Sequence, residues 1–291
     1  MELRVLRYFL AVAEEGNITW AAELLRISQP TLSRQLRQLE EELGVTLFTR
    51  GRHNITLTDE GRLLCERARS IVELADKTER DVSNVSHAGL EGDVSVCCGE
   101  TRGVEYLTSC MAGFRRAHPR VRFTMLSATA DVIRSRIDQG LCDVALMTEP
   151  IDVSRYRFLR LGIADVWGVM VRDDDGLAAL DSISPADLAG RDLIVPHRPE
   201  VRRELTNWLG AQRDESRFAC VYNLPLNAAV AVRQGVGVAL CYDVGQCGAG
   251  LKFIPLRPHL EGASVVAWRR SGSATPAAAA FIDHLKAESG M

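Results

Sequence analysis

Along the first ninety residues the apolar positions fall at helical spacing. Leu3, Leu6, Phe9, Leu10 and Ala13 mark one face of a first helix that ends near Gly16. Thr19 reads as the N-cap of a second, in which Ala21, Ala22, Leu24 and Leu25 keep the same rhythm. In SQPTLSRQLRQLEEELG, Ser28 to Gly44, the residues Leu32, Leu36, Leu39 and Leu43 fall within about 60° of one another at ~100° per residue. Ser28 caps this third helix, Pro30 sits in the first turn, where no N–H is needed, and Gly44 stops it. So few residues separate the second helix from the third that the pair must meet at a steep angle, the helix-turn-helix arrangement.

In VTLFTRGRHNITLTD the period changes to two. Val45, Leu47, Ile55 and Leu57 alternate with polar residues, and Gly51 and Asn54 supply turn chemistry, so a short basic hairpin follows the third helix as a wing. Thr58 then caps a helix running to about His87, roughly 40 Å at ~1.5 Å per residue. Leu64, Ala68, Ile71, Ala75, Thr78, Val82 and Val85 recur in it at steps of four and three, a heptad seam suited to pairing with another helix. The small or polar residues Ala68, Ala75 and Thr78 leave open the other reading, a helix lying on its own domain.

From Gly92 on, buried-strand runs alternate with helical segments. DVSVCCG, VRFTMLS and DVALM read as strands separated by helices around Val104–Phe114 and in ADVIRSRIDQG. A second series follows: WGVMV, the helix SPADLAG, DLIVP, the helix VRRELTNWLGA, FACVYN, the helix LNAAVAVRQG and the strand VGVALCYD. SVVAWRR and a last helix begun by Pro276 close the chain. Such alternation predicts a mostly parallel α/β sheet.

Composition adds little but excludes much. The 291 residues suffice for about two domains, and 46% hydrophobic with 25% charged residues is ordinary for a globular protein. No apolar run reaches the ~18 residues of a membrane span. Arg4, Arg7 and Glu14 interrupt the N-terminal segment, unlike a signal peptide, so the expected location is the cytoplasm and no membrane partner is expected. The eight cysteines contain no C-x-x-C pair, which argues for buried thiols over a metal site; Cys241 with Cys247, or Cys220 with either, is the pairing to check for redox chemistry. Neither a metal nor another cofactor is expected.

The polar face of the third helix is where chemistry concentrates. Ser33, Arg34, Arg37 and Gln38 lie opposite the leucines. Arginine and glutamine can read guanine or adenine edges in the major groove by bidentate hydrogen bonds, and Ser, Thr and helix N-terminal N–H groups can hold phosphates. Net charge gives no help: the chain is −3, and Met1 to Arg62 carries eight arginines against nine carboxylates. Affinity for nucleic acid must therefore come from segregation, with Arg34, Arg37, Arg50, Arg52 and His53 on one side and Glu40 to Glu42 at the far end of the helix, where Glu41 is placed to pair with Arg37. Other motifs fail. Gly235-Val236-Gly237 is a helix stop rather than a dinucleotide loop, Asp173-Asp174-Asp175-Gly176 lacks cation-loop spacing, and no nucleophile motif occurs, so no catalytic residue and no enzyme is expected.

The stretch AAELLRISQPTLSRQLRQLEEELGVTLFTR with ITLTDEGRLL resembles the winged helix-turn-helix signature of LysR-type transcriptional regulators. The likeness is specific over Met1 to about His87 and continues more weakly in the order of elements beyond Gly92. It implies an N-terminal all-α winged helix-turn-helix (1–60), a long linker helix for dimerisation (61–90), and a C-terminal α/β periplasmic-binding-protein-like domain of two subdomains (91–291). The subdomains are expected at about 91–162 with 266–291 and at 163–265. It maps DNA contacts onto Gln29, Pro30, Thr31, Ser33 and Arg34, with Arg50 and Arg52 in the wing; Arg37 joins them from the helical face. Trp20 departs from the family pattern, in which a polar residue is usual there, and either packs beside the helix pair or meets the DNA backbone.

By the same resemblance an effector cleft is walled by loops at the carboxyl ends of strands: Gly99, Glu100, Thr101, Thr129, Thr148, Pro196, His197 and Asn223, with Ala128 and Arg198 beside them. Glu100 would repel an anionic effector where His197 and Arg198 would attract one, so effector charge stays open. The implied function is a sequence-specific transcriptional regulator that binds double-stranded DNA at a dyad-symmetric operator as a homodimer or homotetramer. It responds to a small molecule whose identity the sequence leaves open, with RNA polymerase a further candidate partner. A redox-sensing regulator is the alternative.

Overall fold

The computed structural model describes residues 1–50, 54–83, 90–212, 214–245, 248–270 and 274–289, without the side chain of Arg50. The chain forms two compact units, Met1–Ser83 and Asn84–Met291.

In the first unit three helices, α1 (Leu3–Glu15), α2 (Ile18–Leu24) and α3 (Gln29–Leu43), precede a two-stranded antiparallel ribbon, β1 (Phe48–Arg50) and β2 (Ile55–Leu57), and the long helix α4 (Asp59–Ser83). The unit is thus not all-α: the wing contributes strands. Val5, Leu6, Phe9 and Val12 of α1, Ala21 and Ala22 of α2, and Leu32, Leu36 and Leu39 of α3 form one core closed by Leu47, Phe48 and Ala68. Leu43, expected on that face, is exposed at the last turn. Asn17, not Thr19, caps α2: its Oδ1 accepts from Thr19 N at 2.8 Å and Trp20 N at 3.3 Å. The apolar rhythm alone could not separate two polar residues so close together.

Two contacts fix the wing to the helices. Glu40 Oε1 accepts from Leu47 N at 2.7 Å and Phe48 N at 3.3 Å, so this carboxylate organises the entry to β1. At the start of α4, Thr58 Oγ1 accepts from Gly61 N at 2.9 Å and donates to Thr46 O at 2.7 Å. A Cβ on Gly61 would stand 2.1 Å from Leu47 O, so only glycine allows that approach.

The heptad row on α4 divides. Ala68 is buried and Leu64 half-buried, but Ile71 is 41% and Val82 66% exposed, with Leu74 beside them. At ~100° per residue Ile71 lies about 60° and Val82 about 40° round the helix from Ala68, on the side opposite Cys65 and Val72, which meet the core; Val85 of the same row lies outside the described residues. Arg7–Asp76 and Arg69–Glu14 (3.3 Å) tie α4 back to α1.

The second unit is a nine-stranded mixed sheet. Its first half holds β3 (Gly92–Cys98), α5 (Gly103–Ala117), β4 (Val121–Ser127), α6 (Ala130–Asp138) and β5 (Val144–Thr148). Its second holds β7 (Leu193–Pro196), α7 (Pro199–Leu209), β8 (Phe218–Tyr222), α8 (Pro225–Arg233), β9 (Val238–Tyr242) and β10 (Leu251–Pro255). β6 (Tyr156–Arg172) and β11 (Glu261–Arg269) join them, and α9 (Pro276–Glu288) returns to the first half. The order is β4-β3-β5-β11-β6-β9-β7-β8, with β10 also on β6. β3 runs parallel to β4 and β5, and β7 parallel to β8 and β9, whereas β6 and β11 are antiparallel to each other and pass between the two lobes. Their mutual register slips between Ala263 and Val265.

Three segments differ from the sequence reading. WGVMV is only the end of a strand of 17 residues, whose earlier part is masked in sequence by the exposed Arg157 and Arg160. β10 was not expected, and SPADLAG makes only a 3-10 turn, Pro185–Leu188, closed by a Ser184–Asp187 capping box. The expected division near 162 and 266 falls inside β6 and β11.

Candidate functional sites

The polar face of α3 leaves the core as its leucines enter it. Gln29, Pro30, Arg34 and Arg37 are exposed, and Thr31 and Ser33 are half-buried on the first two turns. Ser28 Oγ lies 2.7 Å from Thr31 Oγ1 and accepts from Thr31 N at 3.4 Å, so Thr31 takes part in capping its own helix. Arg52 and His53 lie outside the described residues, as does the Arg50 side chain. Ion pairing engages only some arginines of the unit: among the described residues Arg26, Arg67 and Arg80 are exposed and make none. Arg4, Arg7, Arg62 and Arg69 each meet a carboxylate. Among the described residues Arg34 and Arg37 form no ion pair, and the expected Arg37–Glu41 pair is not made. Glu40 turns instead to the wing, and Glu42 to the N-terminal amine. Trp20 does not pack beside the helix pair, being 62% exposed.

In the second unit the eight residues expected at strand ends come together around one cavity of about 100 Å³ between the lobes: Gly99, Glu100, Thr101, Thr129, Thr148, Pro196, His197 and Asn223. The topology causes this, because β3, β4 and β5 in one lobe and β7 and β8 in the other all point their carboxyl ends at it. The helices α5, α6, α7 and α8 start from the same loops.

Several of these side chains are already engaged. Glu100 Oε2 accepts from Leu226 N at 3.3 Å, placing a carboxylate from one lobe on the N-terminus of α8 in the other. Thr148 donates its hydroxyl proton to Asp165 Oδ2 at 2.8 Å, so towards the cavity it can only accept. Asp165, fully buried, also accepts from Ser264 Oγ at 2.5 Å. Asn223 Oδ1 accepts from Leu224 N and Asn227 Nδ2, both at 2.9 Å, leaving its own amide hydrogens for the cavity. Arg198 donates to Pro150 O at 3.2 Å, and Arg102 pairs with Asp243 at 3.0 Å, so further polar contacts cross between the lobes.

Sequence reasoning missed the aromatic floor. Trp167 on β6 and Tyr242 on β9 are register partners with ring centroids 3.9 Å apart. Trp167 lies inside β6, away from the strand-end loops; Tyr242 ends β9, where the strand-end rule points, and was not included among the expected residues. Tyr242 donates to Glu149 O at 3.2 Å, and burial holds its phenol far above the ordinary range. Tyr222 donates to Leu240 O at 2.9 Å and is raised by burial too. Trp167 Nε1 is buried without a well-formed hydrogen bond. A larger basin of about 670 Å³ adjoins the cavity at Arg198, but it is open to solvent and rimmed by carboxylates that include Glu149, Glu200 and Glu204. Desolvation pushes the Glu204 carboxyl up. The aromatic-floored cavity, lined from both lobes, is the better ligand site.

The expected thiol pairings gain no geometry. Cys241 is buried on β9 and Cys220 half-buried on β8, with β7 between them: Ile194 is paired with both Cys220 and Ala239. Two strand spacings amount to ~9.6 Å, beyond the ~7 Å Cα limit of a disulfide. Cys247 lies outside the described residues. Among the described residues no cluster of three or more His, Cys, Asp or Glu could hold a metal ion.

Residues 3–62 match the family model described as bacterial regulatory helix-turn-helix protein, lysR family, and residues 87–290 match the LysR substrate binding domain. The Hca operon transcriptional activator HcaR of Escherichia coli (strain K12) is 28% identical over 294 residues, covering 97% of this chain and 96% of HcaR. The HTH-type transcriptional regulator BsdA of Bacillus subtilis (strain 168) is 31% identical over 198 residues, 67% of each chain. The crystal structure of CbnR, a LysR family transcriptional regulator, shares the fold with a TM-score of 0.80 at 23% identity over 99% of both chains. Full-length CbnR has also been solved with its target DNA, and that structure superposes with a TM-score of 0.76 at 23% identity, again over 99% of both chains.

Proposed function

This chain belongs to the LysR family of bacterial regulatory helix-turn-helix proteins, and on that premise we propose how its residues divide the work of a regulator. It is a DNA-binding transcriptional regulator with an effector-binding domain. In our reading Gln29, Thr31, Ser33, Arg34 and Arg37 of α3 meet DNA, Arg34 and Arg37 reading base edges and the first turn holding phosphate. Pro30 presets that turn, and Arg50 and Arg52 act from the wing. The exposure of Arg34 and Arg37 opposite the buried leucines, with no carboxylate partner among the described residues, supports the assignment. The outward row Ile71, Leu74 and Val82 supplies an apolar strip on α4 for a second copy, giving a dimer, or a tetramer built from it, on a dyad-symmetric operator. CbnR on its target DNA is the precedent for that partner.

The effector reading is carried by one observation: eight loop residues from both lobes line one cavity. We read it as a site that binds a small molecule without turning it over and, by favouring one arrangement of the lobes, shifts the population of DNA-competent molecules. No helix among the described residues is long and apolar enough to cross a membrane, and we assign the protein to the cytoplasm, with its DNA.

The test has two arms. Binding is measured by fluorescence anisotropy against a duplex that the protein itself enriches from a random-sequence pool. Arg34→Ala should weaken that complex by about 1–3 kcal/mol and leave a scrambled duplex nearly unaffected. Equal losses on both would remove Arg34 as a base reader. In the second arm a thermal-shift screen of small metabolites seeks a ligand that raises Tm, as anything binding the native state must.

A further inference from the structure

Trp20 stands in the open. It is the third residue of α2, 62% exposed, and Leu24 one turn on is 66% exposed. Phe9 and Phe48, by contrast, are buried against each other with ring centroids 5.1 Å apart. The indole is nevertheless well placed, because Asn17 Oδ1 takes the backbone N–H of Trp20 and so sets the first turn of the helix that carries it.

What surrounds the indole narrows its partner. In a helix-turn-helix the second helix enters the major groove while the first crosses the sugar–phosphate backbone. Backbone contacts require donors. The sequence of α2, ITWAAEL, has neither lysine nor arginine, and its one charged residue is Glu23. The side-chain donors on that helix are therefore the Thr19 hydroxyl and the Trp20 Nε1–H. An indole offers an N–H at one edge and a flat apolar body, a shape that suits a phosphate beside a deoxyribose. α3, which carries the reading face, follows α2 after the short connection 25–28.

We propose that Trp20 is a backbone-positioning residue: its indole lies on the sugar–phosphate backbone flanking the groove that α3 reads, with Nε1–H donating to a phosphate oxygen. The proposal rests on the DNA-reading role assigned above to the first unit and extends it to a helix outside the reading face. Trp20 then contributes affinity without sequence preference and, being neutral, without releasing a counterion.

The experiment uses the full chain, the enriched duplex and its scrambled counterpart. The Trp20 emission is the difference between wild type and Trp20→Phe. Saturating duplex should quench that emission and shield it from acrylamide. Trp20→Ala should weaken both duplexes by the same factor, about tenfold, the worth of one hydrogen bond to a charged group. The salt dependence should stay at the wild-type slope. Trp20→Arg should recover the affinity and steepen the slope by about one. Because the side chain is exposed, Trp20→Ala should melt with the wild type, which separates a binding loss from a folding loss. Acrylamide quenching indifferent to duplex, together with wild-type affinity in Trp20→Ala, would overturn the proposal and leave the indole to a protein partner. A loss confined to the enriched duplex would overturn it in favour of base reading. A wild-type chain that enriches no duplex would overturn the DNA-reading role itself, and Trp20 with it.

Discussion

Glu40→Ala sets two physical effects against each other. The substitution removes one of nine carboxylates from a segment of net charge −1 and takes that charge to zero. If electrostatics alone governed the unit, the variant would bind DNA more tightly. Glu40 Oε1, however, accepts from Leu47 N at 2.7 Å and from Phe48 N at 3.3 Å, in a partly buried setting at the entrance to β1. A hydrogen bond to a charged group is worth ~1.5–3 kcal/mol, and the longer bond adds little, so the loss is about 2 kcal/mol, roughly thirtyfold in the local opening equilibrium. Hydrogen exchange should show it directly: the Leu47 and Phe48 amides should lose protection by about that factor while those of α1 keep theirs. Glu40→Gln, whose amide oxygen still accepts, should fall in between. DNA affinity in Glu40→Ala should drop, because the wing is no longer held to α3. Unchanged exchange at Leu47 and Phe48, or tighter DNA binding, would refute the reasoning.

Three further outcomes are expected. A Cβ on Gly99 meets nothing within 4 Å, so Gly99→Leu should fill the cavity, keep the Tm and abolish the shift produced by any cleft ligand; calorimetric titration of that ligand reads the result. Burial raises the Glu204 carboxyl above its unfolded value, so the fold binds its proton more tightly and stability from this group falls as pH rises through that range. Glu204→Gln should therefore melt higher than wild type at pH 7 to 8 and no higher near pH 4. Val82→Glu places a charge in the outward strip of α4 and should shift the protein towards monomer in sedimentation velocity, with its circular-dichroism spectrum retained.

The legible parts of this protein were those whose signal is local. Ser28 and Gly44 bracket α3 by cap chemistry that needs no tertiary information, and the strand-end rule converts a list of strands into the loops that meet in the cavity. The illegible parts depend on what lies across the fold. Trp167 and Tyr242 become a floor only because β6 and β9 are neighbours, a pairing between residues far apart in the chain. The long strand β6 was cut short in sequence because Arg157 and Arg160 interrupt its apolar rhythm. The α4 row reads as one seam because its steps of four and three do not reveal that Ile71 and Val82 lie on the far side of Ala68 from Cys65 and Val72, which face the core.

The crossing of β6 and β11 has a mechanical consequence. No flexible loop joins the lobes there; they are spliced by two strands bonded to each other, with the Ala263–Val265 slip beside the Asp165 side chain that holds Thr148 and Ser264. A hydrogen-bonded pair of strands twists far more readily than it stretches or shears, and a bulge concentrates twist where it sits. The splice is thus a torsion bar: strain applied at the cavity can leave the domain chiefly as rotation of one lobe against the other about the strand axis. A ligand there would be transduced as an angle rather than as a distance.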